Sequence, residues 1–320
     1  MKFLLMLLTL FTAFANAAAI DHATCIAPAK PGGGFDLTCQ MVREILQKSE
    51  PTRTPLTITF QPGGIGALAF HSTVTQRPTD GRTVVAFSSG SLLNLAQGRF
   101  GRYTAKDVRW LAALGLDYGV IAVRRDSPFH TLPQLMSALH ESPNRIVFGA
   151  GGSIGSQDWM KVVLLAKAAG VSHKTIRFVA FEGGGDAISA LRSDHVQVIS
   201  GDTAEVARQI DQGTMVRVLA VFSGKRLAGR WASTPTAKEQ GYDIRWPVLR
   251  GVYLGPGVSD RDYRDWTEAL NRAAAHASFS KELAGAGFQP GWLVGRALEE
   301  QINLQMETYR QMATEFGLTR

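Results

Sequence analysis

A glycine-rich turn near the amino terminus most constrains what this chain can fold into. The apolar stretch Cys25–Ala27 has the character of a strand, Pro31–Gly34 forms a turn, and a helical pattern follows Asp36. The first N–H groups of a helix have no internal acceptors, and the helix dipole places partial positive charge there. Glycines let a ligand approach those groups closely. The turn therefore predicts an anion-binding site, with a simple strand-to-helix connection as the alternative.

The same order of strand, small-residue turn and helix recurs along the chain. Such turns occupy 61–66, 88–91, 151–158, 182–186 and 201–203. Alternating strands and helices predict an α/β fold with mainly parallel, doubly wound sheets. Ligands of such sheets bind beyond the carboxyl ends of the strands, so we expect these turns to share one cleft. The residues predicted at this cleft include Gly63, Gly64, Ser88, Ser89, Gln157, Asp158, Phe181, Gly183 and Asp202.

The rest of the chain supplies further elements and enough length for two domains. Trp110–Leu116 and Val120–Val123 are predicted as two apolar strands in its middle. After Arg226 the alternation weakens, and two amphipathic helices are predicted, Arg261–Ala275 and Arg296–Phe316. A chain of 320 residues is long enough for two domains of ordinary size.

Residues 1–17 have the pattern of a cleavable export signal. Lys2 precedes the apolar run Phe3–Phe14, and the small residues Ala15–Ala17 follow. The run is shorter than the ~20 apolar residues of a membrane span, so we expect a soluble, exported mature protein. The formal net charge of +7 favours anionic partners. Because Lys and Arg are scattered along the chain, no nucleic acid partner is expected.

The two cysteines, Cys25 and Cys39, lie on the first predicted strand and in the first predicted helix. In an exported protein such a pair can form a disulfide, which would tie together the two sides of the glycine turn. Two buried thiols are the alternative. No His or further Cys lies at metal-ligand spacing, so no metal site is predicted.

Several segments together resemble one protein family. They are Pro28–Asp36, Gln61–Gly64, Arg77–Gly81, Phe181–Gly185, Gly213–Arg226 and Thr234–Gly241. Their order and spacing are similar to those of the periplasmic solute-binding proteins of tripartite tricarboxylate transporters, the Bug receptor or TctC family. The similarity covers nearly the whole mature chain.

The resemblance implies a two-lobed "Venus flytrap" binding protein in the periplasm. Residues 18–122 and 226–320 would form lobe 1, and residues 123–225 would form lobe 2. Such a protein, a monomer without cofactor, holds a small carboxylate solute between its lobes and delivers it to membrane subunits. The family binds carboxylates mainly through backbone N–H groups at two turns, which here comprise Gly33, Gly34, Phe35 and Asp36 in lobe 1 and Gly152, Ser153, Ile154, Gly155 and Ser156 in lobe 2.

The chain departs from the family pattern in ways that bear on the solute. Gln157 and Asp158 stand where the family usually has a His, and Phe181 and Glu182 replace a common Tyr. The added acidic groups would repel a carboxylate unless they point away from it or pair with an amine. Asp36 either meets the solute or caps the first helix. Dicarboxylates, tricarboxylates, aromatic carboxylates and acidic amino acids all stay open as solutes.

Parts of the sequence also match three other functions to different degrees. Gly151–Gly155 satisfies G-x-S-x-G between a strand and a helix, so Ser153 is a candidate hydrolase nucleophile. The histidines after it, at 173, 195 and 276, do not lie in loops with catalytic signals. Gly32–Gly34 lacks the spacing of a dinucleotide-binding turn. A sensor acting through the same cleft cannot be distinguished from a transport receptor by sequence.

Overall fold

The computed structural model describes residues 20–51 and 54–318, so the predicted export signal lies outside the described residues. The first lobe begins with β1 (Thr24–Ala27), α1 (Gly34–Ser49), β2 (Thr57–Phe60), α2 (Ala67–Thr75), β3 (Thr83–Ser88) and α3 (Ser89–Ala96). Strand β4 (Arg109–Arg124) leads into the second lobe, which contains α4 (Leu132–Glu141), β5 (Val147–Gly151), α5 (Gln157–Ala168), β6 (Arg177–Phe181), α6 (Gly184–Arg192), β7 (Val198–Asp202), α7 (Thr203–Asp211) and β8 (Val216–Val221). The chain then returns through β9 (Pro247–Leu254), α8 (Asp260–Ala275), α9 (Phe279–Gly285), β10 (Leu293–Val294) and α10 (Gly295–Glu315).

Each lobe combines parallel strands with antiparallel strands that carry the chain between lobes. In lobe 1, β1 pairs in parallel with β2 and β3, and β9 runs antiparallel between β3 and β4. In lobe 2, β5 pairs in parallel with β6 and β7, and β4 runs antiparallel to β7 and β8. The predicted two-lobed α/β architecture is confirmed. The sheets are mixed rather than mainly parallel, because β4 and β9 must return the chain.

One long strand joins the lobes where two short strands were predicted. Up to Tyr118, β4 pairs with β9, and from Gly119 onward it pairs with β7 and β8. The second crossing lies beside the first, since Gly119 N–H donates to Trp246 O at 2.9 Å and Trp246 N–H donates to Phe222 O at 2.7 Å. On β4 the change of pairing partner lies at Tyr118–Gly119, and the lobe limits at positions 122 and 226 stay predictions.

Side-chain caps explain where several helices begin. Ser88, Thr131, Ser156 and Ser259 each accept a hydrogen bond from a first-turn N–H group of the helix that follows. Such caps satisfy donors that the helix itself cannot. Ser88 is the last residue of β3, and Ser156 follows the turn after β5, so both helices start on the carboxyl side of strands. Helix α9 was not predicted.

The predicted disulfide is confirmed. Cys25 on β1 and Cys39 on α1 are bonded, with their Cα atoms 5.7 Å apart, and both are buried. The bond therefore joins the strand and the helix on either side of the first glycine turn. No helix of the described residues is long and apolar enough to cross a membrane.

Removing the disulfide should lower the free energy of unfolding. A loop of this length contributes about 3 kcal/mol in the chain-entropy description. We expect the variant Cys25→Ala/Cys39→Ala to lose about that much free energy of unfolding, measured by urea denaturation. Wild-type protein under reducing conditions is the control and should unfold at the same urea concentration as the variant. Equal midpoints for variant and oxidised wild type would contradict the expectation.

Candidate functional site

The turns that follow several strands meet in one cavity between the lobes. Its volume is about 800 Å³, which lies in the usual range for small-molecule sites. The predicted residues that line it are Gly33, Gly34, Phe35, Gly63, Gly64, Ser88, Gly152, Ser153, Gln157, Asp158, Phe181 and Gly183. The structure therefore brings together turns from both lobes, as expected for a shared cleft.

Other predicted site residues lie outside the cavity wall because they have structural partners. Ser89 donates to Gln305 and accepts from Leu249 N–H, while Ser156 caps α5. The carbonyl of Gly155 accepts a hydrogen bond from Gln97 at 2.9 Å. The remaining residues of this group are Ile154, which is exposed, and Asp36 and Asp202, which are buried in hydrogen-bond networks.

Asp36 closes the first glycine turn instead of facing the cavity. Its carboxylate accepts hydrogen bonds from Gly32 N–H at 2.7 Å and from the Gln40 amide at 2.6 Å. Its other contact crosses to lobe 2, where Arg208 lies 3.4 Å away. Asp36 therefore stabilises the turn rather than capping α1, whose N-cap residue is Gly33 and has no side-chain hydrogen bond. Contact of Asp36 with the solute stays a prediction.

The predicted amides of both turns are partly used by the protein itself. Gly34 N–H donates to Glu205 at 2.5 Å, and Gly152 N–H donates to Phe181 O at 2.7 Å. In lobe 2 the start of α6, at Gly184, lines the cavity as well. First-turn amides have no intrahelical acceptors, and the first turns of α1 and α6 both belong to the cavity wall.

A buried network of charges lies beneath the cavity, and the sequence analysis missed it. Arg250 on β9 is bonded to Asp117 at 2.9 Å and to Asp202 at 2.7 Å. Lys161 on α5 is bonded to Asp202 and to Asp158, both at 2.7 Å. All five side chains are nearly inaccessible to solvent. Asp158 and Asp202 were predicted at the cleft from their turns, whereas Asp117, Lys161 and Arg250 have as their only signal a single charge within an otherwise apolar run.

Burial and mutual attraction set the ionisation of this network. Burial raises the pKa of Asp158 to about 6, although Lys161 opposes the shift. Burial also raises the pKa of Asp117, against the pull of Arg250. For Asp202 burial acts in the same direction, but Lys161 and Arg250 together hold its pKa below the usual value. Since Asp158 also accepts from Gly151 N–H, its charge is directed into the protein.

Contacts across the cavity mouth join the two lobes. Lys30 of lobe 1 lies 3.3 Å from Asp186 of lobe 2. Arg99 of lobe 1 donates to Ser153 Oγ at 3.1 Å and to the carbonyl of Ile154 at 2.5 Å. These contacts describe a closed arrangement in which a solute would be covered on both sides.

Within residues 20–51 and 54–318, Ser153 makes no hydrogen bond to a histidine. Its Oγ contacts Arg99, which is a hydrogen-bond donor. His173 packs against the rings of Trp159 and Phe316, and His276 is bonded to Ser278. A serine nucleophile is activated by an adjacent base, and the described contacts of Ser153 do not include one.

Two α/β lobes joined by paired crossings around a cavity lined from both sides define a two-lobed solute-binding protein. The chain matches the family described as "Tripartite tricarboxylate transporter family receptor" over residues 41–318. It belongs to that family, which confirms the resemblance found in the sequence.

Individual relatives share the fold at low sequence identity. The chain is 23% identical over 298 residues to a "UPF0065 protein in tcbD-tcbE intergenic region" of Pseudomonas sp. strain P51, covering 92% of this chain and 86% of that protein. It is similar to the structure of MatC from Rhodopseudomonas palustris with bound malate, with a TM-score of 0.77 and 19% identity over 91% of this chain and 98% of that chain. It is also similar to the R. palustris protein Rpa4515 with adipate, with a TM-score of 0.81 and 18% identity over 93% of this chain and 97% of that chain.

Proposed function

We propose that this chain is a receptor that captures a carboxylate-containing small molecule between its lobes and delivers it to the membrane subunits of a tripartite tricarboxylate-type transporter. It acts in the periplasm as a monomer, after loss of residues 1–17, and does not catalyse a reaction on the solute. Family membership supports the delivery step. The malate and adipate bound by similar proteins support a carboxylate as the solute.

The observation that carries this proposal is the meeting of two helix starts, one from each lobe, on a single cavity. Helix α1 begins at Gly34 and α6 begins at Gly184, and both residues line it. The helix dipole contributes about 0.3–1 kcal/mol for an anion at such a start, and up to ~2 kcal/mol when partly buried. Each charge-assisted hydrogen bond adds roughly 1.5–3 kcal/mol. A carboxylate group is the anion that these donors suit.

Capture proceeds by closure about the two strand crossings. The crossings at Tyr118–Gly119 and Trp246–Pro247 lie side by side, so rotation there separates the lobes with few changes in either core. The ion pair between Lys30 and Asp186 would open in that rotation. A solute that touches both helix starts favours the closed state, because it makes fewer contacts in the open one.

A thermal-shift screen tests the proposal. The panel contains malate, adipate, benzoate and glutamate, with adipamide as the uncharged match for adipate. We expect at least one carboxylate to raise the melting temperature, since a ligand at about 100 times its Kd stabilises by about 2.7 kcal/mol. For a protein of this size that is a rise of roughly 4 °C. Adipamide should have no effect. If no carboxylate raises the melting temperature, the proposed function is wrong.

An esterase assay tests the absence of catalysis at Ser153. Wild type and Ser153→Ala should both show no turnover above background, because among the described residues the Ser153 hydroxyl is bonded to Arg99 and not to a histidine. Turnover by wild type that disappears in a folded Ser153→Ala variant would establish the hydrolase instead.

A further inference from the structure

The first turn of helix α7 places an acidic side chain between both helix starts of the cavity. Glu205 lines the cavity and is only 9% exposed. Its Oε1 accepts the hydrogen bond from Gly34 N–H at 2.5 Å. Its Oε2 lies against Gly184 at the start of α6, which belongs to lobe 2 as Glu205 does. A Cβ atom added at Gly184 would overlap Oε2. One carboxyl group of the protein therefore contacts both helix starts at which the solute is proposed to bind.

Glu205 is a surplus acid within the buried network. Lys161 and Arg250 together form four ion pairs with Asp117, Asp158 and Asp202. Among the residues that the structure describes, no Lys or Arg nitrogen lies within ion-pair distance of Glu205. A buried carboxylate without a cation is costly, and such a group takes up a proton instead.

The surroundings of Glu205 favour its neutral form. Burial has the largest effect, and together with the charges of Asp202 and Asp158 it raises the pKa of Glu205 to about 8. Arg250 and the hydrogen bond from Gly34 oppose the shift. Among the other charged groups at the cavity, Asp36 is paired with Arg208, Lys30 with Asp186, and Lys161 with Asp158 and Asp202. Arg99 donates to Ser153 and Ile154, and Glu182 is an exposed acid of the same cavity wall.

We propose that Glu205 is a neutral carboxylic acid at neutral pH and that its Oε2–H donates a hydrogen bond to a carboxylate oxygen of the solute. The assignment rests on the proposed function as a carboxylate receptor. An ionised Glu205 at the two helix starts would repel a carboxylate that binds there, whereas a neutral Glu205 would not. It also makes Glu205 a specificity-determining residue whose proton is part of the binding site.

The proposal fixes the sign of the pH dependence. Below about pH 8 the donor proton is in place and carboxylate affinity should be constant. At higher pH the proton must be taken up on binding, so affinity should fall about tenfold per pH unit. A solute that presented an ammonium group to Glu205 would need the ionised acid, and its affinity would rise with pH instead.

The test compares wild type with Glu205→Gln, whose amide keeps a donor and an acceptor in the same shape. Glu182→Gln is the matched control, because Glu182 lines the same cavity but is exposed. Calorimetric titrations with malate and adipate run from about pH 6 to about pH 9.5, in buffers of different ionisation enthalpy. Carboxyl ¹³C NMR of each free protein reports the titration of Glu205, identified by the signal missing in Glu205→Gln.

Three results together are expected. The Glu205 signal titrates well above the usual range for Glu, wild type and Glu182→Gln lose affinity above about pH 8 with proton uptake, and Glu205→Gln shows neither loss nor uptake. A Glu205 signal that titrates near its ordinary pKa overturns the proposal, as does affinity that rises with pH or an unchanged pH profile in Glu205→Gln. Failure of every carboxylate to bind at any pH overturns the proposed function and the donor role, while the NMR titration still decides whether Glu205 holds a proton.

Discussion

Replacing Arg250 with methionine is expected to lower the free energy of unfolding by about 3–5 kcal/mol, because breaking a buried ion pair leaves an uncompensated charge. The guanidinium is 2% exposed and bonds Asp117 and Asp202 on two other strands. Methionine has a similar volume, so the loss comes mainly from the charge. Asp202 retains Lys161, whereas Asp117 loses its only cation among the described residues. Urea denaturation measures the change.

Two further variants separate charge from packing in this experiment. Arg245→Met removes an exposed pair with Asp243 and should cost less than about 1 kcal/mol. Adding Asp117→Asn to Arg250→Met should recover part of the lost stability, because the unpaired charge is removed. If Arg250→Met is as stable as wild type, or if the double variant is less stable than the single one, the network does not stabilise the protein in this way.

The position of Arg250 explains why its effect should be large. It joins β9 to β4 and to the end of β7 beside the place where β4 changes from one lobe's sheet to the other's. The same guanidinium lies directly beneath Gly34, at the start of α1. One side chain thus connects the strand crossings with the floor of the cavity.

Local patterns in the sequence predicted the turns of the cavity but not the buried charge network around Arg250. Glycines after apolar strands predicted which segments meet at the cavity, and the spacing of Cys25 and Cys39 allowed the disulfide. Two separate strands, Trp110–Leu116 and Val120–Val123, were predicted, yet the strand continues through Asp117, which is paired with Arg250 inside the protein. Pairing between residues so distant in the chain leaves no local periodicity to detect.

Local sequence patterns were also insufficient to describe the proposed anion-binding site at the start of α1. Sequence identified the helix start at Gly34 as a set of unpaired amides, but the structure shows Glu205 bonded to the first of them. Glu205 stands in the first turn of α7, where acidic residues are common because they favour the helix dipole. Only the packing of α7 against α1 and α6 shows that this acid belongs to the cavity.

Replacing Gly34 with alanine is expected to weaken carboxylate binding about 100-fold, the loss of one to two charge-assisted hydrogen bonds. A Cβ atom at this position would overlap the guanidinium of Arg250, which its ion pairs hold in place. Either the start of α1 or Arg250 must move, and both changes displace the amides from the solute. Calorimetric titration with the carboxylate that stabilises wild type most strongly measures the loss.

The control is Gly285→Ala on helix α9, where an added Cβ atom has no neighbour within 4 Å. This variant should bind as wild type does, and the change from Gly to Ala within a helix should not destabilise it. Circular dichroism and the melting temperature establish that Gly34→Ala is folded when it is titrated. A folded Gly34→Ala variant with wild-type affinity would show that the start of α1 does not bind the solute, whatever the solute is.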